Sequence, residues 1–183
     1  MGAVRKLSSF DLPHYRISDW EQWEGKWELV RGIPFAMAPA PSRKHQLLNF
    51  LIGNAFLSAT KTCGKCRPEL EINYRVSEDT VLEPDLVIVC GDLGGGNYLE
   101  TTPSLVMEVL SPTTAQNDLN VKSRIYAEQG IRYYLIVHPD EEWIRIQELG
   151  VDDWVELDQF RDGSFTFDFD GCKVEVDFSG VWK

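Results

Sequence analysis

The sequence predicts a mixed α/β fold, a sheet flanked by helices on both faces with an antiparallel β extension at the C-terminal end. Three observations carry this. Residues 85–90 (Asp-Leu-Val-Ile-Val-Cys) and 104–110 (Ser-Leu-Val-Met-Glu-Val-Leu) are apolar at consecutive positions, so each reads as a strand covered on both sides. A helical stretch at 115–129, ended by Gly130, leads to a third apolar run at 132–138; strand, helix and strand in that space form a parallel crossover. Beyond residue 140 the pattern changes to alternating segments at 143–149, after Trp154 and after Ser164, which read as antiparallel edge strands or hairpins.

The N-terminal elements follow in order. Residues 17–24 read as a short amphipathic helix with Ser18 as N-cap. Residues 27–37 form a strand pair turning at Arg31-Gly32, followed by the stiff Ala38-Pro39-Ala40-Pro41. Ser42 can cap a long helix to about residue 62, with Leu48, Leu51, Ile52 and Ala55 as its apolar stripe and Gly64 to end it. Residues 67–76 follow as one strand. No repeat or low-complexity linker interrupts the chain, so residues 1–183 are expected to form a single domain. Its core would be about 17–149 and its acidic, β-rich extension 150–183.

No run approaches the roughly 18 apolar residues of a membrane helix, and no apolar signal segment precedes Asp11. Four cysteines in a chain of this length do not suggest a disulfide framework, so a cytoplasmic protein with no membrane partner is expected. The net charge of −11 opposes a nucleic-acid partner at first sight. Its distribution removes most of the objection. Residues 140–177 hold 13 acidic against 3 basic residues, while residues 1–139 hold 16 against 14. The excess belongs to the C-terminal quarter, where it suits a solvated, self-repelling edge.

Two carboxylates stand out because they lie in apolar strands. A buried carboxylate costs several kcal/mol unless it is paired, roughly speaking. Asp85 opens the first run and Glu108 lies inside the second. If these strands run antiparallel, the start of one lies beside the end of the other, and both carboxylates meet at one rim. The following helix begins close by and carries Asp118, Lys122 and Tyr126 on one face. Hard oxygen donors at such a rim suit Mg²⁺ or Mn²⁺. A bound cation would polarise a phosphoryl oxygen and activate a water, and the lysine could orient that water. The plainer alternatives are a loop-ending Asp85, a satisfied ion pair at Glu108, and a surface Asp118–Lys122 pair.

These residues carry a resemblance. Pro84-Asp85 followed by Glu108-Val109-Leu110 resembles the PD-(D/E)XK, or restriction endonuclease-like, superfamily. Glu108-Val-Leu-Ser-Pro112, Asp118, Lys122, Tyr126, Gly130 and the Tyr-Tyr-Leu-Ile-Val strand resemble more closely a bacterial restriction-endonuclease family abundant in cyanobacteria and formerly catalogued as a domain of unknown function. Trp27-Glu28-Leu29-Val30, Gly32, Met37, Pro39 and His45 continue that likeness through residues 17–149. The resemblance implies a restriction endonuclease-like sheet and a metal-dependent endonuclease hydrolysing DNA phosphodiester bonds as a homodimer. Asp85, Glu108 and the Val109 carbonyl would hold the metal, Lys122 would assist the attacking water, and Glu28 would be the acid contributed ahead of the core. His45 and Tyr126 are candidates for substrate contact. The superfamily places its lysine two residues after the acid; that position here is Leu110, and Lys122 on the helix is the match. Arg31 likewise replaces an expected acidic or amide residue before Gly32.

A rival from another class is a nuclease-fold accessory or binding protein without turnover, for instance one linked to mobile elements. The acidic surface and the displaced lysine favour it. An RNA-directed or repair nuclease would share the same residues. Other features suggest less. Cys63-Gly-Lys-Cys66 is a lone CxxC; structural zinc wants four ligands, no second pair follows, and Cys90 reads as strand core. His45 fits either a phosphate contact at a helix N-terminus or a partly exposed helix position. His138 reads as a turn residue, and Gly94-Gly95-Gly96-Asn97 as a loop tip rather than a phosphate loop. Ser111 lacks a nucleophile-elbow context. Trp20, Trp23 and Trp27 suit a small packed cluster or a dimer contact.

Overall fold

A computed structural model describes residues 13–37, 41–91, 96–111 and 118–182, with Asp118 described in its backbone alone. The chain opens with a short helix α1 (Ile17–Trp20) and the strands β1 (Trp27–Val30) and β2 (Ile33–Ala36). A long helix α2 (Arg43–Thr60) precedes β3 (Cys66–Leu70), β4 (Tyr74–Ser77), β5 (Thr80–Leu82), β6 (Leu86–Cys90) and β7 (Leu105–Val109). A π-helical turn, Asp118–Lys122, runs into α3 (Ser123–Glu128). Then come β8 (Tyr133–His138), β9 (Trp143–Leu149), β10 (Trp154–Phe160), β11 (Ser164–Phe169) and β12 (Cys172–Asp177).

The central sheet has the order β10-β9-β8-β7-β6-β3. Its β7–β8 pair is parallel and its other pairs are antiparallel, so the sheet is mixed, as the crossover pattern predicted. Alternation along the apolar strands sends Leu86, Ile88, Leu105, Met107, Val109, Leu135 and Val137 to one face. There they meet Leu48, Ile52 and Phe56 of α2 and Phe167, Phe169, Val174 and Val176 of the β11–β12 hairpin. Val87, Val89, Val106, Tyr134 and Ile136 point to the other face, against Ile125 and Tyr126 of α3 and against Val30, Tyr74 and Leu82. The last three belong to a second sheet of order β2-β1-β5-β4. Helices on both faces explain why these strands lack the polar alternation of a half-exposed sheet.

Local chemistry explains the ends of several elements. Ser42 accepts the His45 N–H at 3.1 Å and starts α2 as an N-cap. Arg31 and Gly32 have φ of 49° and 77°, the left-handed pair that a two-residue hairpin requires. The structure also corrects the sequence reading in several places. The cap of α1 is Arg16, whose N–H reaches the Asp19 carboxylate at 2.8 Å; Ser18 lies inside the helix, which ends at Trp20. The single strand expected at 67–76 is broken by Glu71 at φ 49°, so β3 joins the central sheet and β4 the smaller one. The three-residue β5 was too short to signal itself. The C-terminal segments are the antiparallel edge strand and hairpin expected: β10 edges the central sheet, and the β11–β12 hairpin packs as a layer against α2.

The cysteines depart most from expectation. Cys63 is bonded to Cys172 and Cys66 to Cys90, where the sequence suggested an isolated CxxC and no disulfide framework. Trp23 packs edge-to-face on Tyr15 and Trp27, the small aromatic cluster foreseen near the N-terminus. His138 accepts the Glu141 N–H at a turn. Residues 38–40, 92–95 and 112–117 lie outside the described residues, and with them parts of the Ala-Pro segment, the triple glycine and the start of the helix expected from 115. Among the described residues no helix is long and apolar enough to cross a membrane.

Phe56 is fully buried, with ring centroids 5.4 Å from Phe167 and 5.9 Å from Phe178. Phe56→Ala should therefore cost about 3–5 kcal/mol in urea unfolding. A loss below about 1 kcal/mol would contradict the docking of the C-terminal hairpin on α2.

Candidate acidic site at the sheet rim

Asp85 stands just before β6, and Glu108 is the fourth residue of β7. The antiparallel register sets Leu86 opposite Met107 and Val87 opposite Val106, so the condition for the two carboxylates to reach one rim is met. Met107 and Val109 face α2; alternation therefore turns the Glu108 side chain toward α3. There its Oε1 accepts from Lys122 Nζ at 2.9 Å and from the Tyr126 hydroxyl at 2.5 Å. Lys122 and Tyr126 are four residues apart, the spacing that places helical side chains together. Lys122 Nζ also lies 3.0 Å from Oε1 of Glu28 on β1, and that oxygen accepts the Glu83 N–H at 2.9 Å.

Asp85 is held differently. Its Oδ2 accepts the Val109 N–H at 2.7 Å and lies 3.2 Å from His45 Nε2. Its Oδ1 is 3.4 Å from Asn49 Nδ2. Asp85 thus reaches the backbone next to Glu108, while its side-chain partners come from α2 on the opposite face. Glu108, Lys122 and Tyr126 meet in one volume with Glu28 added, while the Asp85 side chain, expected beside them, is held by His45 and Asn49. Asp85 meets this group at Val109. Nothing is described for the side chain of Asp118.

Burial makes this arrangement demanding. Glu28, Glu108 and Lys122 are 5%, 3% and 4% exposed. Two carboxylates around one ammonium leave a formal charge of −1, and Asp85 adds another close by. Burial, and then the charge on Glu108, push the Tyr126 phenol well above its ordinary range. It therefore stays protonated and able to donate. Tyr126 is fully buried and donates its hydroxyl hydrogen to Glu108. His45 takes the second of its two expected settings, a partly exposed position in the first turn of α2, and there it stands beside Asp85.

The donor chemistry can accommodate a hard divalent cation. Asp85 and Glu108 offer carboxylate oxygens, and the Val109 carbonyl projects from the same strand edge as the N–H that meets Asp85. Among the described residues no group of three or more His, Cys, Asp or Glu forms a ready cage. Mg²⁺ seldom uses one, since it keeps several waters and takes only one or two carboxylates. The Asn49 side chain is buried, and among the described residues its Oδ1 has no hydrogen-bond partner. An acceptor on the amide that contacts Asp85 suits a cation-bound water there.

The sequence reading passed over Asn49 and Glu83. Asn49 was within reach, because it lies one turn after His45 on the same helix. Glu83 is 8% exposed and contacts Lys26 Nζ at 2.7 Å; no pattern in its surroundings marked it.

Lys122→Met should leave Glu28 and Glu108 buried without their cation and lower stability by about 3–5 kcal/mol at neutral pH. Urea unfolding measures this directly. A change under about 1 kcal/mol would mean that the triad is not closed in solution.

The chain resembles in fold a crystal structure described as that of a "putative nuclease belonging to DUF820" from Anabaena variabilis, with a TM-score of 0.69. Sequence identity is 17%, over 82% of this chain and 87% of that one, so the likeness is one of fold. No curated protein matches the chain by sequence. The family model described as "Putative restriction endonuclease" matches residues 13–168, and the chain belongs to that family, Uma2.

Proposed function

We propose that this protein is a Mg²⁺- or Mn²⁺-dependent endonuclease that hydrolyses DNA phosphodiester bonds in the cytoplasm. The observation that carries the reading is the buried Glu28–Lys122–Glu108 triad beside Asp85 at the rim. Asp85, Glu108 and the Val109 carbonyl are the residues that would hold the cation. When bound, the cation polarises a phosphoryl oxygen and lowers the pKa of a coordinated water.

The chain's own groups supply the rest. Lys122 is the ammonium at the site; it orients the attacking water or offsets charge developing on the phosphate. Glu28 fixes Lys122 from β1, and Tyr126 fixes Glu108 by donating to Oε1. His45 and Asn49 hold Asp85 from α2, one turn apart. The family and the fold of the Anabaena variabilis protein support a nuclease reading. A homodimer would let each strand of a duplex meet one site, and sedimentation at twice the chain mass is its signature.

A second reading is favoured by one observation. Glu108 and Lys122 are almost wholly enclosed and satisfy each other, as suits an accessory protein that keeps the fold without turnover. Purified protein incubated with plasmid DNA, duplex oligonucleotide and single-stranded RNA, each with Mg²⁺ and with Mn²⁺, separates the readings. Cleavage of DNA is expected from the parent, reduced more than about a hundredfold in Asp85→Asn and in Glu108→Gln. Circular dichroism establishes that the variants are folded. A folded parent that cuts none of these substrates with either metal would establish the accessory reading; cleavage of RNA alone would correct the substrate.

A further inference from the structure

We propose that Cys63, Cys66, Cys90 and Cys172 form a tetrathiolate site for a structural Zn²⁺ ion in the reduced protein. These are all four cysteines of the chain. They come from separate places: the turn after α2, the start of β3, the end of β6 and the start of β12. The fold nevertheless brings them to one corner. Cα atoms are 5.9 Å apart for Cys63 and Cys172, and 4.0 Å apart for Cys66 and Cys90. The sulfurs of Cys63 and Cys66, one from each bonded pair, lie 3.7 Å apart. A tetrahedral site with Zn–S bonds of about 2.3 Å has sulfur–sulfur edges of about 3.8 Å. The CxxC turn therefore already has the spacing of one tetrahedral edge, and the bonded partners supply the other two corners.

Joined as disulfides, the sulfurs carry no thiolate, and among the described residues no metal-holding group of His, Cys, Asp or Glu is present. Reduction changes the chemistry without requiring the fold to change. Two equivalents of a dithiol convert the two bridges to four thiols, the dithiol being oxidised. Zn²⁺ then takes the place of the four thiol protons, which pass to solvent.

The surroundings fit the charge of such a centre, which is −2. Lys61, Lys65 and Arg67 surround the CxxC pair in sequence, and Lys173 follows Cys172 within a segment that is otherwise strongly acidic. Lys65 Nζ donates to the Asp170 carbonyl at 3.1 Å, and the Lys65 carbonyl accepts the Gly91 N–H at 2.8 Å. The CxxC turn is thus tied to the residue after Cys90 and to the turn that leads into Cys172. Gly64, at φ 68°, lets the turn double back between its cysteines.

This corner is separate from the acidic rim. Asp85 precedes β6 and Cys90 ends it, a separation of about 17 Å along the strand. A zinc ion there would staple α2, β6 and the C-terminal hairpin together at the end remote from Asp85 and Glu108.

Metal analysis of protein purified under reducing conditions tests this. One zinc per chain is expected, falling below roughly a tenth in Cys90→Ser and in Cys172→Ser. Replacement by Co²⁺ should give the visible absorption of a tetrahedral thiolate complex, whether or not the serine variants fold. Chelation should lower the Tm of the reduced parent. A folded parent with four reactive thiols that takes up neither Zn²⁺ nor Co²⁺ would overturn the proposal. So would an intact mass showing both disulfides still closed after dithiol treatment.

Discussion

A glutamate placed inside a strand that is covered on both faces must be answered by charge or hydrogen bonds, because burial of an unpaired carboxylate costs several kcal/mol, roughly speaking. Glu108 is in that position, 3% exposed between Met107 and Val109. Much of the architecture around it follows from meeting this demand. The π-helical turn and α3 approach the sheet where Lys122 and Tyr126 can reach its Oε1. The small sheet comes close enough for Glu28 to share the same ammonium. A leucine-like apolar core would be simpler to pack. Retaining two carboxylates and one lysine leaves a formal charge of −1 at the rim.

The layers divide the work. The face covered by α2 supplies His45 and Asn49 to Asp85, and the face covered by α3 supplies Lys122 and Tyr126 to Glu108. The rim of β6 and β7 is where these two supports meet, at Val109. The acidic C-terminal quarter stands apart from this chemistry. In the β11–β12 hairpin, Phe167, Phe169, Val174 and Val176 are buried while Glu175 and Asp177 are exposed. Its charge is the solvent face of a layer that closes the core, and it need not meet a substrate.

What was legible in the sequence was what rests on periodicity and on polar residues out of place. The continuous apolar runs at β6, β7 and β8 announced a sheet covered on both faces, and a buried glutamate inside one of them marked the site. The Ser42 cap and the Arg31-Gly32 turn were readable because their chemistry is local. Glu71 was not, since a left-handed non-glycine residue leaves no compositional trace before it splits two strands. Long-range convergence was the hardest to see. Cys66 and Cys90 are 24 residues apart and Cys63 and Cys172 are 109 apart, so only the folded sheet reveals that they share a corner. For the same reason Asp85 was placed at the rim correctly, but its partners on α2 were not identified.

The most direct measurement is a crystal of the parent soaked in Mn²⁺, with the ion located by its anomalous scattering. The nuclease reading predicts one ion at the rim, bound by oxygens of Asp85, Glu108 and the Val109 carbonyl, with waters completing the shell. Saturating Mn²⁺ that leaves this rim without an ion, with Glu108 still closed on Lys122 and Asp85 on His45, would contradict it.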